Sequence, residues 1–479
     1  MPDPVPIPEG YAGNLTTIQQ EKLLQFWKII QQSWDSSLTG PDTDATSLAS
    51  AGSKTRTHRR FFSFSRSATQ PLDQEISAIP PNLLVSLKRL GAGPNDLKAI
   101  HSLLTKLPGE NLRTAFLAML KQDHPDALCL RFLRAEKWDV PKAWIKLVRS
   151  LNWRVNEYHV DEEVLMKGEG YAMEKSTLEE NSTEKKDGEG FMLQLNTGKG
   201  HFHGADRDGR PICIVRVRTH QPGTQTAKGL NDYIVQCIET VRILMVSPVE
   251  SMAIVFDLTS FSLSNWELAP VKFIIDCFQE NYPESLGAMI FYNAPWIFSG
   301  FWKIIYGLLD PVVASKVHFI SGAKELETLV APEHIIKELG GEEDWEWEYI
   351  EPRANENEKL RDATTRSTIL EERNKLADDL FRLNAKWITS SHDELWNEQR
   401  DSVIKQLSEN YWKLDPYVRA RTVLDRTGVI QEGGKIDFYP TQAPKTEPQS
   451  EVEVEVEVQV EPKVIVEETN TAQVAAVTA

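Results

Sequence analysis

The chain has 479 residues, of which 41% are hydrophobic, and its formal net charge at pH 7 is −17. This length allows two or three domains with a sizeable apolar core. The acidic balance argues against general nucleic-acid binding, because nucleic acids attract basic surfaces, but it leaves room for a local basic membrane patch. Four widely spaced cysteines without a CxxC motif predict reduced core residues in a reducing compartment.

The first 80 residues contain one predicted helix between two stretches that favour disorder. Residues 1–14 are rich in proline and lack the basic and apolar regions of a signal peptide. Residues 15–34 place large apolar side chains at helical spacing behind a threonine cap. Residues 35–80 are rich in serine and threonine. Their basic and phenylalanine-containing centre favours a solvated linker, with a weak anchor to anionic lipid as the alternative.

A helical module and a polar insertion are predicted next. Residues 81–160 repeat a helical pattern broken by loops, and Asp139 caps the last helix ahead of a proline in its first turn. Residues 161–199 are polar, acidic and glycine-containing, which favours a flexible insertion.

Two histidines and two aspartates cluster directly after this insertion, at His201, His203, Asp206 and Asp208. A metal site is one interpretation of such a group. The turn-forming sequence Asp-Arg-Asp-Gly at residues 206–209 favours the other interpretation, a turn that leads into a strand.

Predicted strands alternate with predicted helices through the following 120 residues. The strands cover residues 211–219, 252–258, 286–292 and 317–321. Such alternation predicts an α/β domain with a mostly parallel sheet and crossover helices.

Residues 285–302 carry no charged side chain. A membrane-spanning helix is one alternative, but an asparagine, a proline and a glycine interrupt the run. A core strand followed by a buried helix is a second alternative. The functional interpretation is a strand that forms the floor of a pocket and an apolar helix that forms its lid.

Four motifs, taken in this order and spacing, resemble the core of the CRAL-TRIO, or Sec-fourteen-like, lipid-transfer family. They are Asn-Tyr-Pro-Glu at 281–284, Asn-Ala-Pro at 293–295, Asp-Pro at 310–311 and Ser-Lys at 315–316. The segment LRFLRAEKWDVPKAW resembles the small all-α N-terminal module of the same family. The resemblance covers roughly residues 100–350, and the terminal extensions are similar to those of fungal phosphatidylinositol transfer proteins of the CSR-one type.

This resemblance implies a CRAL-TRIO lipid-binding domain over residues 200–350, with an apolar lid helix. The family's headgroup positions correspond to Glu284, which can accept hydrogen bonds from inositol hydroxyls, and Lys316, which can meet the phosphate. A surface ion pair is the alternative role for these two residues. Two further positions depart from the family, since Glu136 stands where an arginine is usual and Val313 where a threonine is usual.

The resemblance also implies a pocket wall and a lid. The wall residues are Met252, Ile254, Phe256, Ile290 and Tyr292, and the lid residues are Phe298, Phe301, Trp302, Ile305 and Leu309. Members that exchange phosphatidylcholine have a serine and a threonine where this chain has Met252 and Ile254. We therefore expect poor phosphatidylcholine transfer and retained binding of phosphatidylinositol or of a neutral apolar lipid, such as a sterol or a squalene-like hydrocarbon.

The C-terminal part is predicted to be helical and then disordered. Residues 354–430 are charged, with Leu376, Leu380, Leu383 and Trp387 at helical spacing, which predicts a docking helix for a protein partner or a helical hairpin. Residues 431–479 include dense Glu-Val repeats, which favour a solvated acidic tail over a strand.

No hydrolase, kinase or metalloprotease motif is found, so we expect no catalytic residue, no metal and no cofactor other than bound lipid, with phosphatidylinositol foremost. The expected function is lipid transfer in the cytoplasm, with transient peripheral association with membranes. The alternative is a lipid-sensing scaffold that recruits partners through residues 354–430 without moving lipid.

Overall fold

The computed structural model describes residues 7–35, 76–179, 182–389 and 394–440. Of the segments expected to be disordered, residues 1–6, 36–75 and 441–479 lie outside these ranges. The first part of the expected acidic tail, residues 431–440, is ordered instead, because the Tyr439 hydroxyl accepts a 3.1 Å hydrogen bond from the backbone nitrogen of Ala205. The strands are β1 (Gly200–Ala205), β2 (Pro211–Arg216), β3 (Met252–Asp257), β4 (Leu286–Tyr292) and β5 (Val317–Ile320). The α-helices are α1 (Thr17–Trp34), α2 (Pro81–Arg89), α3 (Pro94–Lys106), α4 (Gly109–Leu120), α5 (Pro125–Ala135), α6 (Val140–Asn152), α7 (Gly168–Ser176), α8 (Thr183–Asn196), α9 (Ala227–Leu244), α10 (Leu268–Asp276), α11 (Phe298–Tyr306), α12 (Pro311–Ala314), α13 (Ala323–Leu326), α14 (Ala363–Thr389), α15 (Glu394–Val418) and α16 (Val423–Arg426).

The five strands form one sheet in the order β1-β2-β3-β4-β5. Strands β2 to β5 are parallel, and β1 pairs antiparallel with β2. Helix α9 connects β2 to β3, and α10 lies between β3 and β4, as the crossover of a parallel sheet requires. The α/β class with a mostly parallel sheet is thus confirmed.

Strand β1 begins at Gly200 and includes the two histidines of the cluster that the sequence analysis singles out. His201 and His203 are buried in the strand, and both rings lie against Trp345, at centroid distances of 5.5 and 4.0 Å. The turn itself is confined to the next residues, where the Asp206 carboxylate accepts hydrogen bonds from the backbone nitrogens of Asp208 and Arg210. The polar cluster therefore supports the β1–β2 hairpin.

The insertion at residues 161–199 contains two helices, which differs from the flexible segment that its composition favours. Ser182 caps α8 by accepting from the backbone nitrogen of Lys185 at 3.1 Å. The apolar residues of α8 pack with Tyr233 of α9 in a small core. Gly188 permits close contact with α7, because a Cβ atom there would lie 2.7 Å from the carbonyl oxygen of Ala172. Buried apolar residues at the C-terminal half of α8 thus hold the insertion in place.

Helices α1 to α6 share one core with the C-terminal hairpin of α14 and α15. The ring of Phe381 on α14 lies 5.1 Å from Trp34 on α1. Arg400 on α15 donates two hydrogen bonds, of 2.8 and 3.1 Å, to Asp126, which also accepts from the indole of Trp27 at 2.7 Å. The apolar residues of α14 are therefore covered by the chain itself, as the helical-hairpin alternative implies, and a protein partner for this region stays a prediction.

Candidate functional site

An apolar cavity lies between one face of the sheet and helices α9, α10 and α11, with an empty volume of about 1350 Å³ including its open mouth. Met252, Ile254 and Phe256 of β3 lie on its wall, where the sequence places them. Neighbouring strands add side chains of the same character, which are Phe202, Cys213, Val215, Met289 and Phe291. Helices α9 and α10 close the sides with Leu230, Ile234, Ile238, Val271 and Ile274, and Phe278 adds to them just after α10. Such a lining accepts hydrocarbon chains, but it has few groups that could offset the free-energy cost of burying a charged headgroup.

Ile290 and Tyr292 do not line the cavity, so their expected place on the wall is wrong. Both lie in the core on the opposite face of the sheet, where the Tyr292 hydroxyl donates a 2.5 Å hydrogen bond to the carbonyl oxygen of Leu339. Met289 and Phe291 take the wall positions, because successive side chains on a strand point to opposite faces. Strand β4 is apolar on both faces, so its sequence has no polar side chain to mark its orientation.

Helix α11 lies across the cavity in the position of a lid. Phe298, Ile305 and Leu309 line the cavity from this side. Phe301 instead packs on Trp266, at a centroid distance of 4.4 Å, and Trp302 packs on Phe291 at 5.4 Å. Phe298, Phe301 and Trp302 therefore hold α11 against the sheet and the loop after β3, while Ile305 and Leu309 line the cavity.

The outer surface of this region exposes large apolar side chains. Ile304 and Tyr306 on α11 are 48% and 57% exposed, Trp296 just before the helix is 87% exposed, and Phe319 on the edge strand β5 is 49% exposed. Exposed apolar surface of this kind is often an interaction site.

Glu284 and Lys316 lie together at the amino ends of β4 and β5, away from the cavity lining. The Lys316 ammonium is 3.3 Å from the Glu284 carboxylate, and both side chains are mostly buried. Glu284 has a φ of 58°, so its backbone adopts the left-handed conformation that few residues other than glycine occupy. The two residues expected at the headgroup thus form an ion pair in the structure.

The segment at residues 7–14, for which the sequence favours disorder, packs on the helical module close to this pair. The Tyr11 ring lies 3.8 Å from the guanidinium of Arg134, which donates to the Gly10 carbonyl at 2.9 Å and to Glu250 at 2.7 Å. Burial raises the pKa of Tyr11, and the negative charges of Glu250 and Glu284 add to the effect. Sequence reasoning missed Tyr11 because its proline-rich surroundings carry no helical or strand periodicity.

The two positions that depart from the family have other partners. Glu136 forms an ion pair with Lys146 at 2.8 Å, so a neighbouring cation balances its carboxylate. Val313 lies in the short helix α12, and it packs against the apolar cluster that includes the cavity lining.

A buried charge cluster connects the helical module to the cavity wall. Glu239 of α9 is fully buried and accepts hydrogen bonds from Arg154 at 2.5 Å and from the Tyr282 hydroxyl at 2.8 Å, with Lys121 and Arg242 alongside. Burial opposes the carboxylate charge, but these cations outweigh it and hold the pKa of Glu239 well below its usual range. The cluster fixes α9 relative to the helical module, so its role is structural and not ligand binding.

Within the described ranges, no group of three or more histidine, cysteine, aspartate or glutamate residues could hold a metal ion. None of the helices in the same ranges is both long enough and apolar enough to cross a membrane.

Comparison with known proteins shows which protein family has a similar sequence. The model of the CRAL/TRIO domain matches residues 195–341, and that of the CRAL/TRIO N-terminal domain matches residues 96–149. The phosphatidylinositol transfer protein CSR1 of Eremothecium gossypii is 38% identical over 339 residues, which are 70% of this chain and 75% of the relative. The CRAL-TRIO domain-containing protein C3H8.02 of Schizosaccharomyces pombe is 32% identical over 446 residues, covering 88% of this chain and 93% of the relative.

Among solved structures, the crystal structure of Sfh5 aligns with a TM-score of 0.34 and 19% identity over 46% of this chain and 73% of that chain. The two family models cover all five strands of the sheet and most of helices α3 to α6. The chain belongs to the CRAL/TRIO domain family.

Proposed function

We propose that this protein binds phosphatidylinositol with its acyl chains in the apolar cavity and transfers it between membranes. The observation that supports this most strongly is the cavity itself, which is walled by hydrocarbon side chains beneath α11. Each buried CH₂ group contributes about 0.8 kcal/mol, so a long acyl chain gains substantially on leaving water. The Eremothecium gossypii relative is named a phosphatidylinositol transfer protein, which supports the choice of ligand.

In this proposal Glu284 and Lys316 receive the headgroup. Lys316 would leave Glu284 and contact the phosphate, and the released carboxylate would accept hydrogen bonds from inositol hydroxyls. The 3.3 Å separation of the pair is longer than a strong charge-assisted hydrogen bond, which favours exchange of partners.

A neutral apolar lipid, such as a sterol or a squalene-like hydrocarbon, is the second proposed ligand. Met252 and Ile254 support it, because both lie on the cavity wall and neither can hydrogen bond a choline phosphate. The flexible side chain of Met252 adapts to ligands of different shape.

We further propose that the protein works in the cytoplasm as a carrier without enzymatic activity, and that it associates with membranes transiently. The exposed apolar side chains of Trp296, Ile304 and Tyr306 would enter the membrane surface while α11 moves away from the cavity. The scaffold alternative is weaker, because the apolar side of α14 is already buried against the helical module.

A transfer assay between donor and acceptor liposomes tests this function. With the purified protein, we expect rapid movement of labelled phosphatidylinositol, uptake of labelled sterol, and slow movement of labelled phosphatidylcholine. Binding of phosphatidylinositol without any transfer would contradict the carrier function and favour the lipid-sensing scaffold.

A further inference from the structure

Lys199 is a buried cation on the wall of the apolar cavity. It is 6% exposed and lies directly before β1, where its carbonyl oxygen accepts a 2.7 Å hydrogen bond from the nitrogen of Arg216 at the end of β2. This places it at the edge of the sheet where β2 and β3 end. The Glu284–Lys316 pair lies at the opposite edge of the sheet, where β4 and β5 begin, and is not part of the cavity lining.

The Lys199 ammonium has weak partners. It lies 3.3 Å from Nδ1 of His220 and 3.4 Å from the side-chain oxygen of Gln225, and among the described residues no carboxylate is within ion-pair distance of it. An ammonium has three donors, so one remains after these two long contacts. Burial lowers the pKa of Lys199 to about 8, with partial compensation from Glu267, so the group is still mostly charged at pH 7.

Glu267 holds the His220 ring in place, and His220 in turn contacts the Lys199 ammonium. Nε2 of His220 lies 3.0 Å from the Glu267 carboxylate, which can only accept, so this nitrogen carries the proton and Nδ1 accepts from Lys199. Glu267 lies beyond the imidazole ring and its side chain is 35% exposed. The carboxylate therefore fixes the histidine without pairing with the ammonium directly.

We propose that Lys199, supported by His220 and Glu267, binds the carboxylate of a long-chain fatty acid whose hydrocarbon chain lies along Met252 and Ile254. The inference rests on the proposed function only in requiring that the cavity holds lipid. A fatty acid combines a long apolar chain with one small anion, which matches the Lys199 ammonium in a mostly apolar lining whose polar residues, His220, Asn265 and Glu267, lie at the same end. A sterol hydroxyl would leave the ammonium charge uncompensated, and a phospholipid headgroup requires more donors than this end of the cavity supplies.

Fluorescence titration with cis-parinaric acid, a fluorescent long-chain fatty acid, and with its methyl ester tests the assignment at pH 7. We expect the purified wild-type chain to bind the acid about tenfold more tightly than the ester, as one charge-assisted hydrogen bond to a buried ammonium implies. Lys199→Met keeps the length of the side chain and removes its charge, so acid and ester should bind with the same affinity. The matched control is Lys272→Met on α10, whose lysine is exposed to solvent, and it should behave as wild type.

Equal affinity of the wild type for acid and ester would overturn the proposal, as would an unchanged preference for the acid in Lys199→Met. The comparison in wild type needs no variant, so a folding defect in Lys199→Met leaves the proposal testable. Ester binding by Lys199→Met shows that its cavity is intact. Failure of the proposed function has a different signature, because the wild type would then take up neither the ester nor phosphatidylinositol.

Discussion

At the scale of single residues, the Glu284–Lys316 ion pair has two possible roles, which are headgroup binding and a structural contact. In the family resemblance these residues contact phosphatidylinositol, whereas in the structure they contact each other at 3.3 Å. If the pair were only structural, removing one partner would change stability and leave the amount of bound phosphatidylinositol unchanged.

We expect Lys316→Ala to lower the phosphatidylinositol that copurifies with the protein about tenfold, because the phosphate loses its cation. Mass spectrometry of extracted lipid provides the measurement, and uptake of a neutral sterol should be unchanged. Lys324→Ala is the matched control, because Lys324 also pairs with a glutamate but is 90% exposed. Equal phosphatidylinositol content in wild type and Lys316→Ala would remove Lys316 from the site.

Two apolar residues on β3 determine the expected discrimination against phosphatidylcholine. The double variant Met252→Ser, Ile254→Thr supplies two hydroxyls to the cavity, so we expect exchange of labelled phosphatidylcholine to increase severalfold over wild type. Ala253→Ser with Val255→Thr makes similar changes on the opposite face of the same strand and should leave exchange unchanged. Efficient phosphatidylcholine exchange by the wild type, without uptake of sterol or hydrocarbon, would contradict the role of Met252 and Ile254.

At the scale of elements, α11 has one face for the cavity and another for solvent. Ile305 is buried over the cavity, whereas its neighbours Ile304 and Tyr306 are about half exposed. Changing Ile305 to a charged residue would place that charge in an apolar lining, so it would impair folding and ligand binding together.

We expect Ile304→Asp with Tyr306→Asp to reduce lipid transfer about tenfold, because the lid loses its apolar contact with the bilayer. Thermal unfolding and the amount of copurified lipid should stay near wild type, since both side chains are exposed. Liposome flotation then reports the loss of membrane binding. Leu370→Asp on α14, which replaces an exposed leucine of another element, is the control. Unchanged transfer by the double variant would mean that this face does not meet the membrane.

The elements differ in how well the sequence predicts them. Strands β2, β3 and β4 are mainly apolar runs, and each of β2 to β5 begins at its predicted residue and ends within three residues of its predicted end. Strand β1 was missed because it is short and rich in glycine and histidine. The orientation of β4 was wrong because both of its faces are apolar. Lys199 had no local signal, since its partners come from separate loops that only the folded sheet brings together.

At the scale of the whole molecule, Asp126 and Arg400 join the N-terminal module to the C-terminal hairpin. Burial disfavours the Asp126 carboxylate, but Arg400 outweighs this effect and holds the pKa of Asp126 below its ordinary value. A carboxylate with a lowered pKa contributes stability above its unfolded pKa of about 4. This contribution is lost as the pH falls below about 4, towards the folded pKa.

Arg400→Met should lower the free energy of unfolding at pH 7 by about 3 kcal/mol, because it leaves Asp126 buried without its cation. Urea titration followed by tryptophan fluorescence measures the change, and the difference from wild type should shrink as the pH falls below about 4. Lys405→Met on the same helix removes an exposed pair at 3.9 Å and should change stability by less than about 0.5 kcal/mol. A loss for Arg400→Met no larger than this control would show that the contact does not stabilise the hairpin.

The shared core of α1–α6 and α14–α15 also sets an order of events during synthesis. The ribosome completes α6 long before it reaches Leu407, a buried residue of the same core. At about 5–20 residues per second, tens of seconds separate the two. Throughout that interval the nascent chain exposes the apolar side chains that Phe381 and Leu407 later cover, so chaperones have their longest access to this surface. Translational pauses within the intervening CRAL/TRIO domain would prolong this exposure.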